Sequence, residues 1–275
     1  LLAVTDKLGG TTSASYLPST MWNNSNNPPI GYTMTELTRS DGHGNDVTTR
    51  FSYWGGYFHW ASRQFRGYYK VSAVAPSSAR TDTYFYQLNG SSSKPRSVFV
   101  YNADGNLESR SCTQYTDSTA SCVVAPTDTE QNDHSDITAP RDSLKTAQFD
   151  WVCDPESTPG NELCHYKKVE YRYGVYGNIE RVFDYGDAIA MGDETTTVIK
   201  YYPNTSNYIV GLPGLVEKRA GINTLGTLLA RSLLYYDSNL SYINPPTVGD
   251  VAKILKWNSS TGTYVSTSYE YDNDG

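Results

Sequence analysis

Four cysteines are the first candidates for chemistry in this chain, and they fall in two close pairs. Cys112 and Cys122 bracket TQYTDSTAS, while Cys153 and Cys164 bracket DPESTPGNEL and run directly into His165. Local pairing closes two short polar loops and is the reading the spacing favours, although more than one connectivity is open to four cysteines. Disulfides imply an oxidising compartment, and in a reducing one the same residues are free thiols. The rival reading is a metal site at Cys153, Cys164 and His165, whose C-x10-C-H spacing matches no usual zinc pattern. The four histidines (His43, His59, His134, His165) are scattered. Asp41 and Asp46 lack the ladder of acidic ligands that calcium loops use. The 29 acidic residues make a carboxylate pair available by chance, but no G-x-S-x-G, H-E-x-x-H or phosphate-cradling loop accompanies them. The expectation is therefore a chain with no catalytic residue, no metal and no cofactor.

A second chemistry is recognition. FSYWGGYFHWASRQFRGYYKVSAV is the most aromatic stretch, and Trp54, Tyr57, His59 and Trp60 make a candidate platform for sugar or protein. The competing reading is core: Phe51, Tyr53, Tyr57 and Trp60 bury large areas, and Arg63 and Arg66, which flank Phe65, are candidates to stack on neighbouring rings.

The elements that must carry these residues are strands. Tyr supplies 24 residues against 7 Phe and 5 Trp, and Met only 3. Tyr, Thr, Val and Trp suit a pleated, half-buried surface. Short β-prone runs alternate with Gly, Asn, Asp and Pro, and hairpin signals stand at Gly9-Gly10, Asp41-Gly42, Asn89-Gly90 and Asp104-Gly105. TLGTLLARSLLYYD has helix-like leucines, but its Thr and Tyr and its alternation predict a strand. Residues 124–148 are polar and aperiodic and read as a long loop or insertion. Net charge is −7, which supplies no basic field for nucleic acid or an anionic membrane. No apolar run approaches the length of a membrane-spanning helix.

One pattern recurs. VFVYNADGNLESR, VEYRYGVYGNIER and TSYEYDNDG place Tyr101, Tyr173 and Tyr271 four residues before Gly105, Gly177 and Gly275. An aromatic precedes each tyrosine by two, and Asn106 and Asn178 follow the first two glycines. Period-two spacing puts both rings of a pair on one strand face. Each unit thus reads as a hairpin with an aromatic face, and the uneven spacings of 72 and 98 residues exclude a strict solenoid. Asp104 and Asp274 stand just before their glycines, and Tyr176 replaces them in the second copy.

YNADGN and YGVYGN resemble the YD repeats of RHS-repeat proteins, the repeat class that teneurins use in adhesion. LGGTTSASYLPST, RSDGHGNDVTTRFSYWGGYF, RQFRGYYKV, YIVGLPGLVE and VGDVAKILKW resemble, in order, the middle region of the B component of bacterial insecticidal toxin complexes. The most specific block is FRGYYKV, with Phe65, Arg66 and Gly67. The cysteine-bracketed loops and the 124–148 insertion depart from the pattern.

The resemblance implies an all-β fold in which antiparallel hairpin repeats form part of a curved or spiralling β-sheet shell, an RHS/YD-repeat cocoon. It implies a division into 1–123 as the middle-like region with the first YD motif, 124–148 as an insertion, and 149–275 as YD-repeat sheet. It also implies a non-catalytic wall segment of a large secreted or cell-surface bacterial toxin. The partners would be the remainder of the shell, an enclosed C-terminal effector and other toxin-complex subunits. A start without Met and an end inside the third motif are what a piece of a longer chain would show. The alternative is an extracellular adhesion or carbohydrate-binding module.

Overall fold

A computed structural model describes residues 3–25, 30–118, 121–127, 143–154, 163–188 and 190–271. Among them are eighteen strands and one 3-10 turn at Ser19–Met21. The chain divides into two compact units, Leu1–Tyr166 and Lys167–Gly275.

The first unit holds β1 (Ala3–Thr5), β2 (Thr11–Pro18), β3 (Asn23–Ser25), β4 (Tyr32–Ser40), β5 (Asp46–His59) and β6 (Gln64–Phe65). It continues with β7 (Lys70–Val74), β8 (Arg80–Phe85), β9 (Pro95–Tyr101), β10 (Leu107–Tyr115) and β11 (Lys145–Cys153). An antiparallel ladder runs β1, β2, β4, β5, β7, β8, β9, β10, β11. The short β3 pairs parallel with β5, and β6 folds back on the end of β5.

β12 (Cys164–Tyr173) starts in the first unit and continues into the second, which holds β13 (Ile179–Asp187), β14 (Thr195–Tyr201), β15 (Pro213–Ala220), β16 (Leu228–Tyr236), β17 (Val251–Asn258) and β18 (Thr263–Ser268). There each strand pairs antiparallel with the next. The leucine-rich 225–236 stretch is strand β16, as its alternation predicts. Among the described residues the fold is all-β, and its strand pairs are antiparallel save for β3 with β5.

Tyrosine carries much of the packing. In β8 the alternation buries Asp82 and Tyr84. Tyr84 meets Tyr69 and Phe99 edge to face at 5.5 and 5.7 Å, and Tyr101 and Leu107 close the cluster. Such pairs add about 1 kcal/mol each beyond area burial. Buried rings keep their hydroxyls satisfied at backbone carbonyls: Tyr86 donates to Thr113 at 2.8 Å, and Tyr236 to Pro213 at 3.0 Å. Burial pushes both phenols above their ordinary value. In the second unit Leu215 sits opposite Leu233, and Leu233 opposite Leu255, so one apolar row crosses three strands. Beside it Glu217 lies opposite Arg231 and pairs with both Arg231 and Arg219.

Candidate functional site: hairpin turns and the knot around Arg66

The first two YD-type motifs form the same turn, atom for atom in its backbone bonds. The Asn102 N–H donates to Asn106 O at 2.9 Å and the Gly105 N–H to Asn102 O at 3.1 Å; in the second copy Gly174 N–H reaches Asn178 O at 2.9 Å and Gly177 N–H reaches Gly174 O at 3.0 Å. Gly105 and Gly177 sit at φ 87° and 78°, the left-handed region that only glycine enters freely. A β-bulge follows each turn. Tyr101 faces Leu107 while Val100 faces Ser109, and Tyr173 faces Ile179 while Arg172 faces Arg181. The Phe99 and Tyr101 rings share one face, stacked at 6.4 Å. The third motif is described only as far as Tyr271, whose hydroxyl donates to Val251 O at 3.1 Å; Asp274 and Gly275 lie outside the described residues.

The residue that organises the first turn is Asn102. Its side-chain oxygen accepts the N–H groups of Asp104 at 3.0 Å and Asn106 at 2.9 Å. Asp104 is exposed, as is Tyr176 at the equivalent place, which is why the exchange leaves the turn unchanged. Two more hairpins use the same bond pair, starting at Asp6 and Ala75, and the turn at Asp41 shares its first bond, Asp41 N–H to Asn45 O. Asp6 and Asp41 each cap their turn as Asn102 does. Spacing to the glycine does not single out these caps. The signal for them is Asp or Asn three residues before a glycine, an Asx turn. Asn178 also ties its hairpin to the loop after β14, its Nδ2 donating to Val210 O at 2.6 Å.

Phe65, Arg66 and Gly67 lie against the end of β5, where Phe65 stands opposite Phe58. Tyr57 N–H donates to Gly67 O at 3.1 Å, and Arg66 N–H to Tyr57 O at 2.9 Å. Gly55 and Gly67 have φ of 66° and 86°; a Cβ on Gly55 would stand 2.8 Å from the Tyr69 Cβ. The buried Gln87 carboxamide donates to the carbonyls of both glycines, at 2.7 Å to Gly55 and 2.9 Å to Gly67. Arg66 is 1% exposed and its guanidinium donates to Gln87 O at 3.4 Å. Phe65 is 46% exposed and meets Tyr68 edge to face. The specific block is thus a knot joining β5 to the 86–94 loop.

Of the candidate platform, Tyr57 is buried, Trp54 is 40% and Trp60 60% exposed, and Trp60 packs edge to face on Phe58 at 4.7 Å. The four side chains do not share one exposed face, and Trp60 is not core, contrary to the packing expected of it. It sits in the turn after β5, where no strand covers it. His59 Nδ1 lies 2.7 Å from Ser62 Oγ and accepts the Ser62 N–H at 3.2 Å, a local turn bond.

Both cysteine pairs are locally bonded, Cys112–Cys122 and Cys153–Cys164, so the second pair is not a metal-ligand set. Cys112 and Cys122 pack with Ala147 and Phe149, and Trp151 lies against them. Arg110 roofs this cluster. Its guanidinium lies over Trp151 at 4.4 Å and Phe99 at 5.2 Å and donates to Cys122 O at 2.7 Å. Burial lowers its pKa, and nearby Arg96 lowers it further. The second unit has an equivalent pin. The Asp237 carboxylate accepts the N–H groups of Thr247, Val248, Gly249 and Asp250 and the Thr247 hydroxyl. Burial works against the charge, but these bonds outweigh it and hold the carboxyl at about 2. Among the described residues no three metal-ligating side chains converge, and no helix is long and apolar enough to cross a membrane.

Residues 1–89 match the family described as the insecticide toxin TcdB middle/N-terminal region. The first third of the chain is similar, in sequence, to the middle region of toxin-complex B components. Solved structures extend the likeness at the level of fold. TcdB2-TccC3 without its hypervariable C-terminal region aligns with a TM-score of 0.66 at 12% identity, over 94% of this chain and 18% of that one. TcdB2-TccC3 itself gives 0.65 at 12% over 92% and 18%. The Photorhabdus luminescens Tc holotoxin pore gives 0.65 at 11% over 94% and 18%. The chain therefore spans under a fifth of the length of the structures it matches. No curated protein sequence matches it.

Proposed function

We propose that this chain is a non-catalytic wall segment of a secreted or cell-surface toxin-complex B component of the RHS/YD-repeat class. With the remainder of that shell it encloses a C-terminal effector polypeptide and works alongside other toxin-complex subunits. The observation that carries the reading is the toxin-family match over residues 1–89 combined with a shared fold over 94% of the chain. What the residues do agrees with a wall: tyrosine faces pack the sheet, repeated turns set register, and the Arg66 knot and two disulfides pin the longer loops. Disulfides suit an oxidising exterior.

The test is the native polypeptide taken from its source. Its mass under denaturing, reducing conditions is expected to be several times 30.5 kDa. Limited proteolysis is expected to spare an enclosed C-terminal segment until the shell is opened. A mass near 30.5 kDa sinks the reading. Adhesion is then the better account, supported by the exposed Trp54 and Trp60. Glycan-array binding abolished by Trp60→Ala would establish it.

A further inference from the structure

Every lysine and arginine of the Lys167–Gly275 unit stands on a strand, while Asp193, Glu194, Asp237, Asp250 and Glu270 stand outside strands. Strand register sorts these cations by face, because residues opposite one another share a face, as do alternate residues along a strand. Glu170, Arg172, Arg181, Val198, Glu217 and Arg231 thus lie on one face, with Lys200 two residues beyond Val198. Lys218 and Lys256 lie on the other. The carboxylates of the first face are held locally. Glu217 pairs with Arg231 and Arg219, and Glu170 with Lys168 at 2.6 Å. Arg172 and Arg181 stand directly opposite each other across β12 and β13. The Arg172 side chain is 68% exposed and comes no nearer to Glu170 than 4.0 Å. Arg181 and Lys200 are exposed and, among the described residues, have no ion-pair partner. Glu180, next to Arg181 in the chain, turns toward Gly174.

Like charges directly opposite one another in a sheet are destabilising, so the Arg172–Arg181 pair carries a standing cost that an anion between them would remove. Cross-strand neighbours have Cβ atoms about 5 Å apart, and diagonal neighbours stand about 7–8 Å apart. Arg172 and Arg181 are neighbours of the first kind, Arg181 and Lys200 of the second. Guanidinium forks suit carboxylate oxygens. Alternate side chains of an extended segment recur about every 7 Å, which is the step from Arg181 to Lys200. A nucleic acid or an anionic membrane needs a broad basic field, and this chain carries −7 overall. We infer that the corner of the β12–β14 face formed by Arg172, Arg181 and Lys200 is a docking surface for an acidic polypeptide segment. One carboxylate of the segment lies between the two arginines, and a second, two residues along, meets Lys200. This does not rest on the shell reading.

The experiment is fluorescence anisotropy on the whole chain with a fluorescein-labelled Glu-Ser octapeptide. Gln-Ser and Lys-Ser octapeptides and oligothymidylate are run beside it, and phosphatidylserine vesicles are tested by co-sedimentation. Saturable binding of the Glu-Ser peptide alone is expected, weakening as salt is raised. Arg181→Gln and Lys200→Gln should each weaken it about tenfold. Lys256→Gln, on the opposite face, should leave it unchanged. Arg181→Glu should lose the Glu-Ser peptide and gain the Lys-Ser peptide. Thermal melts separate docking from structure: Arg181→Gln relieves the arginine pair and is expected to melt no lower than wild type. A lower melt would make the pair structural and overturn the inference. So would the absence of saturable binding at low salt, equal binding of the Gln-Ser peptide, or an Arg181→Gln protein that binds as wild type does. Tighter binding of oligothymidylate or of the vesicles would give these cations to phosphate and overturn the polypeptide assignment.

Discussion

The side chain of Gln87 holds the backbone of Gly55, donating to its carbonyl at 2.7 Å and, with the other amide hydrogen, to that of Gly67 at 2.9 Å. Two left-handed glycines far apart in sequence are thereby joined inside the first unit. Replacing Gln87 with Leu keeps the bulk and removes the donors. Each carbonyl retains a backbone donor, Tyr69 N–H for Gly55 and Tyr57 N–H for Gly67, so the expected loss is about 2 kcal/mol rather than the cost of two orphaned acceptors. Gln87→Glu should be worse, because a carboxylate would face two carbonyl oxygens. Urea denaturation of both variants checks the order, and equal stability of Gln87→Leu and wild type refutes the knot.

The shared turn predicts a matched pair of substitutions. A Cβ on Gly105 meets nothing within 4 Å, so Gly105→Ala should cost only the backbone penalty of the left-handed region, about 1 kcal/mol. Ser78 occupies the same place in its turn at φ 70°. Ser78→Gly should therefore be neutral or stabilising by up to about 1 kcal/mol, relief of strain being partly offset by chain entropy. Thermal melts of the two variants should move in opposite directions or, for Ser78→Gly, not at all. A Ser78→Gly that melts well below wild type would contradict the equivalence of the turns.

Asp237 links stability to pH. Its folded pKa of about 2 lies below the ordinary 3.8, so its contribution is fully present above pH 3.8 and is lost as pH falls through 2. The gap corresponds to about 2 kcal/mol at most, and partial solvation reduces this to about 1 kcal/mol. Asp237→Asn should flatten the acid limb of the stability curve between those values and weaken the loop at neutral pH. Hydrogen exchange at Thr247 and Gly249 is the direct readout. Unchanged protection there in the variant would mean that the carboxylate does not pin the loop.

Arg110 predicts a difference between cations. Lysine keeps the charge but loses the planar face over Trp151 and the fixed bond to Cys122 O. Arg110→Lys should cost about 1–2 kcal/mol and raise the exchange of amides around Cys122. If Arg110→Lys is neutral and Arg110→Met is not, charge alone matters and the stacking argument fails.

Local signals are legible along most of the chain. The all-β class follows from tyrosine-rich, period-two runs cut by Gly, Asn and Asp, because strand alternation and turn chemistry act over a few residues. The strand at Leu228–Tyr236 is readable despite its leucines for the same reason. The recurrence of the YD-type turn is also in the sequence. Its spacing draws attention to Asp104, because distance to the glycine does not tell which side chain points back at the backbone; the folded turn gives that part to Asn102.

What the tertiary structure decided concerns residues far apart in sequence. Trp60 and Arg66 stand six positions apart, and hydropathy favours burial of the tryptophan; the fold leaves Trp60 60% exposed and Arg66 at 1%. The reason is where partners arrive. Gln87 comes over Arg66 and offers its carbonyl to the guanidinium, while Trp60, in the turn after β5, packs on the Phe58 ring at the strand's end. Likewise the sequence by itself determined that the cysteines lie in two close pairs. Only the packing of β10 and β11 under Arg110 enclosed the Cys112–Cys122 bridge.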